Sequence, residues 1–163
     1  MASVASCGEG GKAGLGHAFG FISKRPFRGR NYPMVPLLLN TYYPPNVPTA
    51  ARSHDIGRAL RTAIEASPDN LRVAVIASGG LSHFATDEVL DRTVMDALAS
   101  GDAEPLRALP RPALRSGSSE ILNWVLTAGA VDRLPHAWGE YIPIYRTPAG
   151  TGVGLGFACW RAG

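Results

Sequence analysis

The stretch Val73–Phe84, VAVIASGGLSHF, passes from an unbroken apolar run to paired glycines and then to a histidine. A short run of β-branched and small apolar residues, Val73-Ala74-Val75-Ile76-Ala77, bounded by turn residues, reads as a buried strand, Leu71 to Ala77. Gly79 and Gly80 mark a loop in which backbone comes close to another group. His83 then stands at the end of a strand, where α/β proteins place ligands and catalysts. Imidazole titrates near neutral pH without help, so the position suits acid–base chemistry. It equally suits a histidine that only caps the loop. Ser82 is not a nucleophile elbow, because Phe84 stands where G-x-S-x-G needs its last glycine.

Upstream, Ile56, Ala59, Leu60, Ala63 and Ile64 recur at helical spacing and predict a helix over 50–66, with Arg52, Arg58, Arg61 and Glu65 on its other faces. Pro68-Asp69-Asn70 separates it from the strand. Downstream, Leu90, Val94, Ala97 and Leu98 predict a helix near 87–100, with Asp87 and Glu88 in its first turn and Gly101 as its stop. A short helix is expected over 103–109 and a longer one over 118–128, ended by Gly129. Residues 140–145 and 153–160 read as strands around the tight loop 146–152. Two further apolar patches, His17–Ile22 and Met34–Leu39, read as strands, the second at an edge or bulge because of Pro36. The sum is an α/β fold with a central mixed sheet flanked by helices.

The chain has 163 residues, 45% hydrophobic and 18% charged, which fits one globular domain. The net charge of +3 is spread along the chain, without an aromatic-interleaved basic motif, so no nucleic acid partner is expected. No apolar stretch reaches the ~18 residues of a membrane helix, so no membrane partner is expected. The N-terminus lacks the apolar centre of a signal peptide. Cys7 and Cys159 form no CxxC and no zinc spacing, and a reduced, cytoplasmic setting follows. Gly11-Lys12 mimics a phosphate-binding loop, but Ser6 and Ala13 break the pattern at both ends.

The sequence holds four histidines, His17, His54, His83 and His136. His54, beside Asp55, reads as an exposed helix residue, and His136 follows Pro135 in a loop. Glu120 opens an otherwise apolar helix after Ser116-Gly117-Ser118-Ser119. There it serves the helix dipole or binds a cation.

Five motifs in order, LLNTYYPPNVP, ASGGLSHF, DEVLDR, SGSSEILNWVLTAGA and YRTPAGTG-x-GLGFACW, resemble the class III (type II) extradiol ring-cleavage dioxygenases. This is the family of the protocatechuate 4,5-dioxygenase catalytic subunit, and the resemblance runs from His17 to Trp160. It implies non-haem Fe(II), O2 and a catechol-type substrate, held by two histidines and one glutamate with open positions on the metal. Glu120 matches the carboxylate ligand. His83 matches the histidine that manages the catechol proton. His17 matches another active-site histidine, and Thr147 a contact to substrate. Family members often work as oligomers, so a homo-oligomer or association with another subunit is implied.

The resemblance places the two iron-binding histidines upstream of His17, and the sixteen residues before His17 contain none. The chain therefore reads as a flexible arm, 1–14, followed by the C-terminal portion of an extradiol dioxygenase catalytic domain, 15–163, with its sheet incomplete on the N-terminal side. Two classes stay open. One is a ring-cleaving enzyme whose remaining ligands come from elsewhere. The other is a truncated, non-catalytic family remnant or interaction protein that does not bind iron by itself.

Overall fold

The computed structural model describes residues 17–28, 30 and 32–162. The expected arm, 1–14, lies outside the described residues. The chain falls into two compact units, up to Leu38 and from Leu39 onward.

In the first unit, His17–Lys24 is a helix, α1. The strand expected over His17–Ile22 is thus corrected. Ala18, Phe19 and Ile22 are half-buried while Phe21 is 61% exposed, a helical rather than an alternating pattern. Six residues were too few to separate the two periods. The run 34–39 is extended but belongs to no strand, and Val35 and Leu38 are exposed.

The second unit mixes helices and strands, as expected of the α/β class. Helix α2, Ala50–Glu65, is capped by Thr49, whose hydroxyl accepts the Arg52 N–H at 3.1 Å. After the short strand β1, His83–Ala85, comes α3, Glu88–Ser100. Asp87 caps it by accepting the Leu90 N–H at 3.0 Å, and Gly101 ends it in the left-handed conformation at φ 75°. A short α4, Ala103–Arg107, and two 3-10 turns, Arg111–Ala113 and Ser116–Glu120, lead to α5, Ile121–Val131. Strands β2, His136–Tyr145, and β3, Thr151–Trp160, close the chain as a hairpin.

All described strand pairings are antiparallel, in the order β1-β3-β2. His83 sits opposite Val153, and Tyr145 opposite Gly152. Leu81, Val94, Leu106, Ile121, Leu122 and Val125 are almost completely buried and form the heart of the core. α2 and α5 pack closely: a Cβ on Gly129 would lie 2.2 Å from the His54 carbonyl oxygen. Gly129 is therefore a contact point inside α5 and not its end.

Two further expectations are corrected here. The run Leu71–Ala77 is extended, but among the described residues no backbone hydrogen bond is made by Arg72–Ala77, so it is not a strand. Leu71, Val73 and Ile76 are exposed. A strand is defined by a neighbour, which the segment's own composition does not supply. His54 is buried, at 4% exposure, not on a solvent face. It sits with Ala50, Ser53 and Gly57 on the face of α2 turned to the core. Arg107 Nη1 donates to its Nδ1 at 3.2 Å and pairs with Asp55 at 2.6 Å. Burial first, then the Arg107 charge, holds the His54 pKa below the ordinary imidazole value.

Candidate active site

The loop 78–83 is sewn to the start of α5 by side chains of that helix. Trp124 Nε1–H donates to the Gly79 carbonyl at 3.0 Å, and Asn123 Nδ2 to the Ser78 carbonyl at 3.2 Å. Glu120, the last residue of the 3-10 turn before α5, reaches back so that its Oε2 accepts the Gly80 N–H at 2.9 Å. His83 comes from the other direction, at the start of β1. Its backbone N–H donates to Ser118 Oγ at 3.1 Å. The structure thus brings Glu120 and His83 together, with His83 Nε2 3.9 Å from Glu120 Oε2.

The glycines permit this approach. A Cβ on Gly80 would lie 2.5 Å from His83 Cε1, and one on Gly117 would lie 2.3 Å from His83 Cβ. The imidazole is packed between two backbone segments that tolerate no side chain.

The chemistry of the ring follows from one contact. His83 Nδ1 lies 2.9 Å from the Leu81 carbonyl oxygen, which only accepts, so Nδ1 carries the proton. In the neutral ring Nε2 is then an unprotonated base directed toward Glu120. Both side chains keep access to solvent, at 28% exposure for His83 and 42% for Glu120. A proton acceptor and an accessible carboxylate lie side by side.

The other predicted residues fall on other elements. His17 opens α1 in the first unit, and its side chain is outside what the structure describes. Thr147 is in the β2–β3 turn, where its hydroxyl bonds that of Thr151 at 2.7 Å; among the described residues it makes no hydrogen bond to His83 or Glu120. His54 and His136 both line a cavity of about 460 Å³ at the C-terminal end of α5, which neither Glu120 nor His83 lines. Ser118, Asn123 and Trp124 were not singled out from sequence. Their polar atoms hold the loop, and a Trp and an Asn one helical turn after Glu120 were the available signal.

The donor set bears on a metal. Among the described residues, no three of His, Cys, Asp and Glu come together as a ligand group. One carboxylate, with an imidazole oriented as a base, does not make a complete three-ligand iron site. No helix among the described residues is long and apolar enough to cross a membrane.

Comparison with known proteins finds aromatic-ring dioxygenases. Fifty residues, 31% of this chain, are 48% identical to the gallate dioxygenase of Pseudomonas putida. They make up 14% of that protein, so the chain spans only a small part of the length of this relative. Residues 19–156 match the family model described as the catalytic LigB subunit of aromatic ring-opening dioxygenase. With most of its length matched, the chain belongs to the family of the catalytic LigB subunit of aromatic ring-opening dioxygenases.

Proposed function

We propose that this chain carries the carboxylate and the proton-accepting histidine of an extradiol dioxygenase site that opens a catechol-type ring with O2. One observation carries the reading: His83 Nε2, fixed as the basic nitrogen, lies 3.9 Å from Glu120 Oε2, both side chains partly exposed. His83 takes the proton of an aromatic hydroxyl at Nε2 while Nδ1–H stays on the Leu81 carbonyl. Glu120 serves as one ligand of Fe(II), the group that would supply O2 chemistry in such a site. The other two ligands come from residues outside those described or from an associated chain. The family resemblance further suggests a catalytic role for His17 and a substrate contact for Thr147. Gallate and protocatechuate are the first substrates to try.

The incomplete donor set among the described residues favours a second reading, a family member that does not bind iron or turn over by itself. Anaerobic loading with Fe(II), followed by oxygen uptake with gallate or protocatechuate, separates the two. The enzyme reading requires about one iron per chain and substrate-dependent uptake. Glu120→Ala should then lose the iron. His83→Ala should keep it and slow turnover by roughly 10²–10⁴-fold. A wild-type chain that takes up no iron supports the second reading.

A further inference from the structure

Asp91 is a fully buried carboxylate that the site as described does not use. It lies in α3 on the same stripe as Val94, Met95 and Leu98, where the core is otherwise apolar. A buried carboxylate costs stability unless its oxygens are well bonded. Asp91 is bonded on both sides. Oδ1 accepts the Ser82 backbone N–H at 2.8 Å. Oδ2 accepts the Ser82 hydroxyl at 2.7 Å and the Tyr141 hydroxyl at 2.8 Å. The Ser82 hydroxyl in turn accepts the Asp87 N–H at 2.9 Å, which ties this contact to the start of α3. Among the described residues no cation pairs with Asp91. Burial, then the hydrogen bond to Asp91 and its charge, raises the Tyr141 phenol above its ordinary pKa.

The bond to Oδ1 has a geometric consequence. The Ser82 N–H and the Leu81 C=O belong to one peptide unit, which is trans and planar. In such a unit the two groups point in opposite directions. Holding the N–H on Asp91 therefore aims the carbonyl the other way, where it accepts His83 Nδ1–H at 2.9 Å. Strand β3 grips the same unit from its flanks: Leu81 N–H donates to the Gly154 carbonyl at 3.1 Å, and Gly154 N–H to the Ser82 carbonyl at 2.9 Å. Those bonds hold the flanks of the unit, but among the described residues only Asp91 holds its N–H.

We propose that Asp91 is the positioning residue of His83: through the Leu81–Ser82 peptide plane it locks the imidazole as the Nδ1–H tautomer and leaves Nε2 free as the base. It touches neither substrate nor metal. A neutral histidine free in water favours the Nε2–H form, so the lock reverses the intrinsic preference. Asparagine at this position keeps an oxygen for the Ser82 N–H and offers its amide to the two hydroxyls, which accept as well as donate.

The inference rests on reading His83 as the base, and the test is chosen to stand apart from it. The whole chain, labelled with ¹⁵N-histidine, is examined by NMR at about pH 8.5, where imidazole is neutral. The wild-type His83 ring should show Nδ1–H over Nε2–H by about tenfold, the ratio that ~1.4 kcal/mol of preference gives. Asp91→Ala should shift that ratio at least fivefold toward Nε2–H, and Asp91→Asn should restore it. Ser82→Ala, which also frees the Asp87 N–H, and Tyr141→Phe both leave the bond to Oδ1 in place and should leave the ratio unchanged, which keeps the proposal exposed if Asp91→Ala fails to fold. An unchanged ratio in folded Asp91→Ala overturns it, as does a large shift in Ser82→Ala or Tyr141→Phe. Ring protonation is read without iron or turnover, so such a result leaves the role of His83 standing. A full-rate His83→Ala enzyme would remove that role and leave the tautomer lock intact.

Discussion

Two apolar stretches of this chain, one followed by a loop that is hydrogen-bonded to the start of the other, have opposite fates. Ile121–Val131 is a helix whose side chains are almost all buried. Leu71–Ala77 is equally apolar on paper, yet it is extended and exposed, without backbone partners from Arg72 onward among the described residues. The difference lies in where each conformation finds its hydrogen bonds. A helix satisfies its interior N–H and C=O groups within itself and needs only a surface to pack on. An extended segment needs a neighbour for its backbone as well as cover for its side chains. α5 has α2 against it, and the run 71–77 has no such neighbour among the described residues.

The contrast predicts its largest effect inside α5. Leu122 is 1% exposed, so Leu122→Ala leaves a cavity as well as lost apolar burial and should cost about 2–5 kcal/mol in urea unfolding. A cost below about 1 kcal/mol would mean that α5 is not the packed element described here. Hydrogen exchange in the wild type sharpens the same point, with slow amides in α5 and fast ones over 72–77.

A smaller effect belongs at the junction between the two stretches. Trp124 is 8% exposed, and its Nε1–H reaches the Gly79 carbonyl, just beyond the open run. Trp124→Phe removes the donor and leaves that carbonyl short of a partner, which should cost about 0.5–1.5 kcal/mol. The loss should speed exchange at residues 79–83 without touching the C-terminal half of α5. Uniform acceleration along α5 would show that the tryptophan matters as volume, not as a tie.

What was legible beforehand follows the same division. Helices α2 and α3 were readable because a helix announces itself by period and caps: Thr49, Asp87 and Gly101 stand where helix ends need them. The β2–β3 hairpin was readable as two strand-like runs, 140–145 and 153–160, around the tight loop 146–152. The strand status of 71–77 was not, because pairing is a property of two segments. His54 was misjudged because Arg52, Asp55 and Arg58 around it suggest a wet face. Its true neighbours on the helix, Ala50, Ser53 and Gly57, are small because α5 comes close there. At the site, His83 and Glu120 stood out beside glycines and serines. Asp91 did not, although a carboxylate four residues before Met95 and seven before Leu98 lies on the buried stripe.

The smallest expected effect is also the one that tests the comparison most directly. Val73 is 52% exposed and, among the described residues, has no strand beside it. Val73→Ala removes methyl groups already half in water, and Val73→Ser adds a hydroxyl that water can satisfy. Each should change stability by no more than about 0.5 kcal/mol. Measured at two protein concentrations tenfold apart, the change should also be the same. A cost of 1–2 kcal/mol that grows with concentration would mean that another chain covers the run in solution, since stability then includes association. A cost of that size that does not depend on concentration would mean that the run is covered within the chain itself. Either outcome would erase the contrast with α5, because Leu71–Ala77 would then be a paired and buried strand after all.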